Sequence, residues 1–372
     1  MDRTKACGKK DEAIANFQFS GTLLSVEPYG NGHINDTFLL VFSHPDMGNH
    51  RVILQHMNSD IFKKPEEVME NIQGITTYLK ERIVENDGDP NRETLNIIQA
   101  KDGKPFYKDS NGNYWRAYFF IEDATCYEQV ESSEDFYESA VAFGHFQMML
   151  SDYPAETLHE TIVGFHDTYA RYQAFEKAVQ EDVCGRVAGV QAEIQFIRDR
   201  VEDTKVLFRE HAEGRLPLRV THNDTKLNNI MFDNHEKKAI CVIDLDTVMP
   251  GFAVNDFGDS IRFGASTAVE DETDLSKVSC DMELYERYVE GFLKGCEGKL
   301  ISTEIALLPM GAKIMTFECG MRFLADYLEG DHYFKIHREG HNLDRCRTQL
   351  KLVADMEMKW DVMKKIVEKY MN

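Results

Sequence analysis

The run Thr221-His222-Asn223-Asp224-Thr225-Lys226-Leu227-Asn228-Asn229 decides the reading of this chain, together with Cys241-Val242-Ile243-Asp244-Leu245-Asp246 downstream. The first run is polar and leads into the strand-like Ile230-Met231-Phe232; the second is an apolar strand that ends in carboxylates. A tight loop with Asp224 and Asn229 five positions apart directs two oxygen-bearing side chains to different tasks. A strand ending at Asp244 delivers a third from a support whose direction the sheet fixes. Turn chemistry explains each residue singly: Asp224 as a turn cap, Asn228 and Asn229 as residues that tolerate left-handed backbone. It does not explain the set. His222 reads as a brace for the loop.

Phosphoryl transfer asks for this set. One carboxylate sits beside the attacking hydroxyl, and further oxygen ligands hold Mg²⁺ against the nucleotide phosphates. The pattern HxDxxxxN followed by a strand-terminal Asp resembles the catalytic core of the aminoglycoside phosphotransferase and choline kinase superfamily, relatives of the protein kinases. The resemblance implies Asp224 as catalytic base, Asn229 as a Mg²⁺ ligand and Asp244 as the counterpart of the kinase DFG aspartate. Asp256-Phe257-Gly258 spells DFG literally, but no apolar strand precedes it and its surroundings are turn-rich. Asp244 is therefore the expected metal ligand, while Asp256 and Asp259 are expected to order the following turn or cap the helix near Ile261, with an indirect contact to the site left open.

Upstream, Phe17 to Val26, Thr37 to Phe42, Arg51 to Gln55, Leu95 to Ile98, Pro105 to Tyr107 and Tyr114 to Ile121 read as strands. Lys64 to Arg82 changes period, with Val68, Ile72, Ile75 and Leu79 on one helix face. From Glu134 the pattern is mainly helical, capped by Ser132-Ser133, and Val190 to His211 reads as one helix through Ile194, Ile197, Val201 and Phe208. A short β interlude surrounds the catalytic run. The expected fold is α+β, a protein-kinase-like two-lobed fold with a β-rich N-lobe (1–121) that binds nucleotide. A helical C-lobe (122–372) is expected to carry the catalytic loop and the acceptor site, which the closer resemblance below implies is a sugar site.

The wording narrows further. Tyr29-Gly30-Asn31-Gly32-His33-Ile34-Asn35-Asp36-Thr37-Phe38 and Val52-Ile53-Leu54-Gln55-His56-Met57-Asn58 look like the N-acetylhexosamine 1-kinases, as does Ile243 to Gly251. So do Arg322-Phe323-Leu324 and Asp326 to Asp331. That resemblance implies transfer of the ATP γ-phosphate to the anomeric hydroxyl of GlcNAc or GalNAc. It implies cofactor contacts from Gly30, Gly32 and Gln55, and substrate contacts from His33, Asn35 and Arg322. Hairpin chemistry is the competing role for His33, Asn35 and Asp36, and an ion pair with Asp326, four positions on, is the competing role for Arg322.

Gln55 stands where a kinase places its phosphate-binding lysine. Its partner in kinases, a helix glutamate, has a counterpart in Glu70, for which a solvated helix face is the other reading. The glutamine leaves two further readings open: another small-alcohol kinase on the same fold (for an aminoglycoside, choline or another sugar), or a non-catalytic nucleotide- or sugar-binding pseudokinase. The hinge near residues 119–123 is the expected adenine seat.

Composition limits the partners. With 64 acidic against 42 basic residues the formal net charge is −22, which repels phosphate backbones and anionic lipid. No nucleic acid or membrane partner is expected, and no run approaches the ~18 apolar residues of a membrane span. The eight cysteines are scattered without CxxC spacing, as expected of reduced thiols in a cytoplasmic protein. ATP, Mg²⁺ and a small-molecule sugar are the expected ligands, and a monomer the expected state.

Overall fold

Period-two alternation builds the first sheet. In Asp36–His44 the residues Leu40 and Phe42 point inward, and in Gly48–His56 so do Val52, Leu54 and His56. The computed structural model describes residues 9–30, 34–46, 48–130 and 132–371. It divides into two compact units, the first comprising the chain to Thr125 with Glu156–Ile162 and Met231–Met249, the second comprising the rest.

In the first unit, strands β1 (Thr22–Pro28), β2 (Asp36–His44), β3 (Gly48–His56), β4 (Ile97–Ile98), β5 (Tyr107–Lys108) and β6 (Tyr114–Phe119) form an antiparallel sheet. Its order is β1-β2-β3-β6-β4, with β5 also on β6. One face packs Leu40, Val52, Leu54, Trp115 and Ala117 against Ala13 and Phe17. Ala13 lies on α1 (Lys10–Asn16), a short helix where the sequence reading gave none; Phe17 makes an isolated antiparallel bridge with Ala100, and the first continuous strand begins at Thr22. Helix α2 (Pro65–Glu85) has Pro65 in its first turn, where the missing N–H costs nothing, and buries Val68, Ile72, Ile75 and Leu79 as its period requires. Its buried Asn71 donates to the carbonyls of His159 (2.8 Å) and Val248 (3.1 Å). A smaller sheet follows the order β10 (Ala239–Val242), β9 (Ile230–Asp233), β7 (Ala124–Thr125).

The second unit is helical: α3 (Ser133–Met149), α4 (Thr168–Glu181), α5 (Gln191–Arg198), α6 (Val206–Ala212), α7 (Ala253–Gly264), α8 (Met282–Gly295), α9 (Ser302–Ala306), α10 (Leu308–Glu329), α11 (His341–Met358) and α12 (Trp360–Lys369). Ser132 caps α3 by accepting from the Asp135 amide at 3.1 Å. Strand β8 (Arg219–Thr221) leads into the catalytic run. Helices α7 and α10 cross so closely that a Cβ on Gly258 would lie 2.2 Å from the Gly311 carbonyl oxygen, so only glycine fits there.

The single helix expected over 190–211 is broken. A 3₁₀ segment, Val201–Lys205, separates α5 from α6 and resets the phase. Thr204 and Leu207 turn inward, and Phe208, which the unbroken period would bury, is 43% exposed. Among the described residues, no helix is long and apolar enough to cross a membrane.

Candidate active site

The second unit holds the catalytic run on a scaffold of backbone clamps. Thr221 and His222 are fully buried, and Asn223 adopts left-handed backbone (φ 65°), a conformation asparagine tolerates better than most residues. Asp256 fixes this turn: its two carboxylate oxygens accept from the His222 and Asn223 amides, each at 2.8 Å, and the Gln147 amide donates to it as well. Thr225 donates to the Asp256 carbonyl at 2.6 Å, and Ser260 to the Thr225 carbonyl at 2.7 Å. Asp256 therefore lies inside α7, and the turn-rich stretch expected there begins a helix at Ala253. Its carboxylate orders the turn before Asp224 through backbone amides, rather than the turn that follows it or a helix cap. Burial pushes its carboxyl up, against the pull of His222 and of the donors it accepts from.

Asp224 and Asn229, which the spacing reading sends to different tasks, are hydrogen-bonded to each other. The Asn229 side-chain amide donates to the Asp224 carbonyl at 2.8 Å and to its carboxylate at 3.1 Å. Lys226 Nζ lies 2.6 Å from the other carboxylate oxygen. Burial alone would push Asp224 up; the Lys226 ammonium, with His222 and the Asn229 amide, outweighs it and holds the carboxyl below the usual range. Asp224 is thus an ionised acceptor at neutral pH. His222 braces the loop: its Nδ1 accepts from the Asp224 amide at 3.3 Å, and its ring packs between Phe143 and Phe146.

A second support was not legible in the sequence. His166 places Nδ1 2.9 Å from Glu318 and Nε2 3.3 Å from the Asn223 carbonyl. Thr168 donates to the other Glu318 oxygen at 2.7 Å. Arg322, one helical turn beyond Glu318 on α10, does not pair with Asp326. Asp326 instead accepts from the amides of His332, Tyr333 and Phe334. The Arg322 guanidinium lies over the rings of Phe165 (5.8 Å), Tyr333 (5.6 Å) and Phe334 (5.4 Å) and donates to the Tyr333 hydroxyl at 3.4 Å. Burial and the neighbouring Arg322 charge both lower Arg171.

In the first unit, β10 ends at Val242, two residues short of Asp244. Asp244 stands in a left-handed turn (φ 58°, ψ 58°) rather than at the strand end expected from the apolar run. Such backbone costs about 1–3 kcal/mol in a non-glycine residue and concentrates at functional sites. Asp246, in the following 3₁₀ turn, is buried, pairs with Arg116 Nη1, and accepts from Asn35 Nδ2 at 2.8 Å. Gln55 accepts from Arg116 Nε at 2.8 Å and donates to Thr37 at 3.0 Å. Asn35 and Gln55, assigned to different ligands by the sequence, thus meet one buried Arg116–Asp246 pair. Burial acts to lower Arg116, but Asp246, with Tyr118 and Asp244, more than offsets it, so the guanidinium stays charged. Glu70 lies 2.7 Å from His159 Nε2. Gly30 is in left-handed backbone (φ 74°) before the hairpin, and Gly32 and His33 lie outside the described residues.

The donor chemistry suits a hard cation. Asn229 spends its amide nitrogen on Asp224, so its oxygen is the end with the chemistry to take a hard cation; Asp244, in the first unit, is of the same oxygen-donor class. Among the described residues no three His, Cys, Asp or Glu side chains cluster as a metal cage. Mg²⁺ needs none, since it is usually bound by one or two carboxylates together with substrate phosphates.

An antiparallel sheet, a helical unit and a clamped Asp–Asn loop define a kinase-like phosphotransferase. Residues 25–292 match the family described as APH, phosphotransferase enzyme family, and the chain belongs to it. Three solved structures share the fold. A microcompartment-associated aminopropanol kinase is 16% identical with a TM-score of 0.59, over 98% of this chain and 99% of that one. An aminoglycoside phosphotransferase from Alicyclobacillus acidocaldarius is 10% identical with a TM-score of 0.62, over 96% of each. An amicoumacin kinase in complex with AMP-PNP and Ca²⁺ is 12% identical with a TM-score of 0.58, over 94% of this chain and 93% of that one.

Proposed function

We propose that this phosphotransferase uses ATP and Mg²⁺ to phosphorylate an N-acetylhexosamine, GlcNAc or GalNAc, at its anomeric C1 hydroxyl. Asp224 is the proposed base, and Asn229 and Asp244 are the proposed Mg²⁺ ligands. The metal, when bound, neutralises phosphate charge. Gly30, Gly32 and Gln55 are assigned to the nucleotide, and His33, Asn35 and Arg322 to the sugar. The observation that carries the reading is Asp224 itself: an ionised carboxylate, held on one side by Asn229 and on the other by Lys226, on a loop whose backbone is clamped by Asp256. Such a group accepts or orients the proton of an attacking hydroxyl, and holding it rigidly removes reorganisation from the step. A free-thiol set (Cys126, Cys184, Cys241, Cys280, Cys296, Cys319 and Cys346) supports a reducing, cytoplasmic setting.

A cationic acceptor such as an aminoalcohol or aminoglycoside is the second reading, favoured by what the neighbouring folds act on. Against it stands the electrostatic proximity of Arg171 and Arg322, two guanidiniums that repel an ammonium and suit hydroxyl and amide oxygens. ADP release with Mg²⁺-ATP, run across GlcNAc, GalNAc, glucose, galactose, choline and an aminoglycoside, separates the two. Release led by the N-acetylated sugars, with product NMR placing phosphate on C1, supports the reading; release led by choline or the aminoglycoside removes the hexosamine.

A further inference from the structure

Neither half of the kinase lysine–glutamate pair is present in its usual form. Gln55 holds the β3 position, and Glu70 on α2 faces His159. A different cation lies beside that glutamine. Thr37, Gln55 and Arg116 are direct register partners across β2, β3 and β6, so their side chains share one face, opposite Leu54 and Trp115. They form a hydrogen-bonded row from Thr37 through Gln55 to Arg116, and Arg116 continues to Asp246. Asn35 holds the other Asp246 oxygen, and its own Oδ1 accepts from the Asn58 amide at 3.0 Å. Arg116 is 1% exposed and Asp246 4%.

The charges make this row more than a packing device. Asp244 and Asp246 put two acidic side chains two positions apart, and nucleotide phosphates add further negative charge. Where solvent screens little, that repulsion is large unless a cation offsets it. We propose that Arg116 does the electrostatic work of the absent lysine: it neutralises Asp246, holds the turn that carries Asp244, and makes that turn tolerant of phosphate. Arg116 touches Asp246 rather than reacting atoms, so it is a positioning residue. The inference rests on the ATP-kinase reading above.

The test is binding, measured calorimetrically without any acceptor, of Mg²⁺-ATP and of adenosine. No Mg²⁺-ATP binding to the unmodified protein defeats the nucleotide reading itself, before Arg116 is touched. Given binding, Arg116→Gln should weaken Mg²⁺-ATP by about tenfold or more, the loss expected for a charge-assisted contact, while adenosine binding holds. A purely structural role would weaken both ligands alike. Returning a cation to the same face in the Gln55→Lys/Arg116→Gln double variant should restore most of the Mg²⁺-ATP affinity. Equal losses for both ligands, or unchanged Mg²⁺-ATP affinity in Arg116→Gln, would overturn the assignment. Should Arg116→Gln fail to fold, the ratio is read in the double variant, and a folded double variant without preference for Mg²⁺-ATP over adenosine overturns it equally.

Discussion

The Nδ1 atom of His166 lies 2.9 Å from the Glu318 carboxylate, and the other ring nitrogen faces the Asn223 carbonyl, one residue before Asp224. A carbonyl only accepts, so the nitrogen facing Asn223 carries a proton, and with the His166 pKa held up and that of Glu318 held down the nitrogen facing Glu318 donates to a carboxylate. The pair is a fixed imidazolium–carboxylate strut under the catalytic loop.

Its pH dependence follows. Burial acts to lower His166, but Glu318, with Asp259, outweighs burial and the opposing Arg322 charge, and the net shift is upward. Burial acts to raise Glu318, but His166, Arg322 and the Thr168 hydroxyl outweigh it, and the net shift is downward. The histidine's contribution to stability is complete below its unfolded value of about 6.5 and is lost as pH rises through the raised folded value. The glutamate's is complete above about 4.3 and is lost as pH falls through its lowered folded value. His166→Gln should therefore cost most stability between those two limits and progressively less at alkaline pH. Denaturant unfolding of both proteins at several pH values checks this; a cost that does not shrink as pH rises would remove the imidazolium.

Asp224→Asn should lower kcat by ~10²–10⁴-fold, the usual worth of a general base, with little change in the KM for ATP. Lys226 sets where that base titrates. Because the Lys226 ammonium holds Asp224 below the usual carboxylate range, Lys226→Met should move the acid limb of the kcat/KM profile to higher pH. An unmoved limb would mean that the group titrating in catalysis is not Asp224.

Asp246→Ala strips Arg116 and Asn35 of their shared acceptor and leaves a guanidinium buried without its carboxylate. Breaking a buried pair from one side costs about 3–5 kcal/mol. Amide hydrogen exchange in β3 and β6 should accelerate accordingly, and unchanged protection there would show that the pair contributes little to the sheet.

The parts legible in the sequence are those carried by short-range spacing. Helix α2 follows its apolar period, and Asp224 and Asn229, five positions apart, fall in one loop, although the spacing gives no sign of their mutual hydrogen bond. Arg116 escaped because its carboxylate lies 130 positions away, although a charge between Trp115 and Ala117 in a strand was a visible signal. Glu318 carried the same signal in the apolar run around Phe317, whereas nothing local marked His166. The competing role for Arg322, an ion pair with its helical neighbour Asp326, fails because three backbone amides from the loop after α10 take that carboxylate. Asp244 lies two residues beyond its strand rather than at the strand end, since left-handed turns by aspartate leave no pattern in an apolar run.

Asp256 tests whether the loop's geometry is imposed from α7. Its two oxygens each accept a backbone N–H, from His222 and from Asn223, and Gln147 donates to one of them as well. Asparagine is nearly the same size but has one oxygen and one NH₂, so Asp256→Asn must point an N–H donor at a backbone N–H or at Gln147. A buried donor left without an acceptor costs about 1–3 kcal/mol, and here that cost falls on the backbone that aims Asp224. The variant should fold, with reduced stability, and lose kcat more than its nucleotide affinity. Asp256→Glu should fare no better, because the extra methylene has no room in a site 1% exposed. If Asp256→Asn keeps full kcat, the loop holds its shape through its other contacts, the His166 strut and the Thr225 and Ser260 hydroxyls among them, and the carboxylate clamp from α7 serves the fold rather than the chemistry.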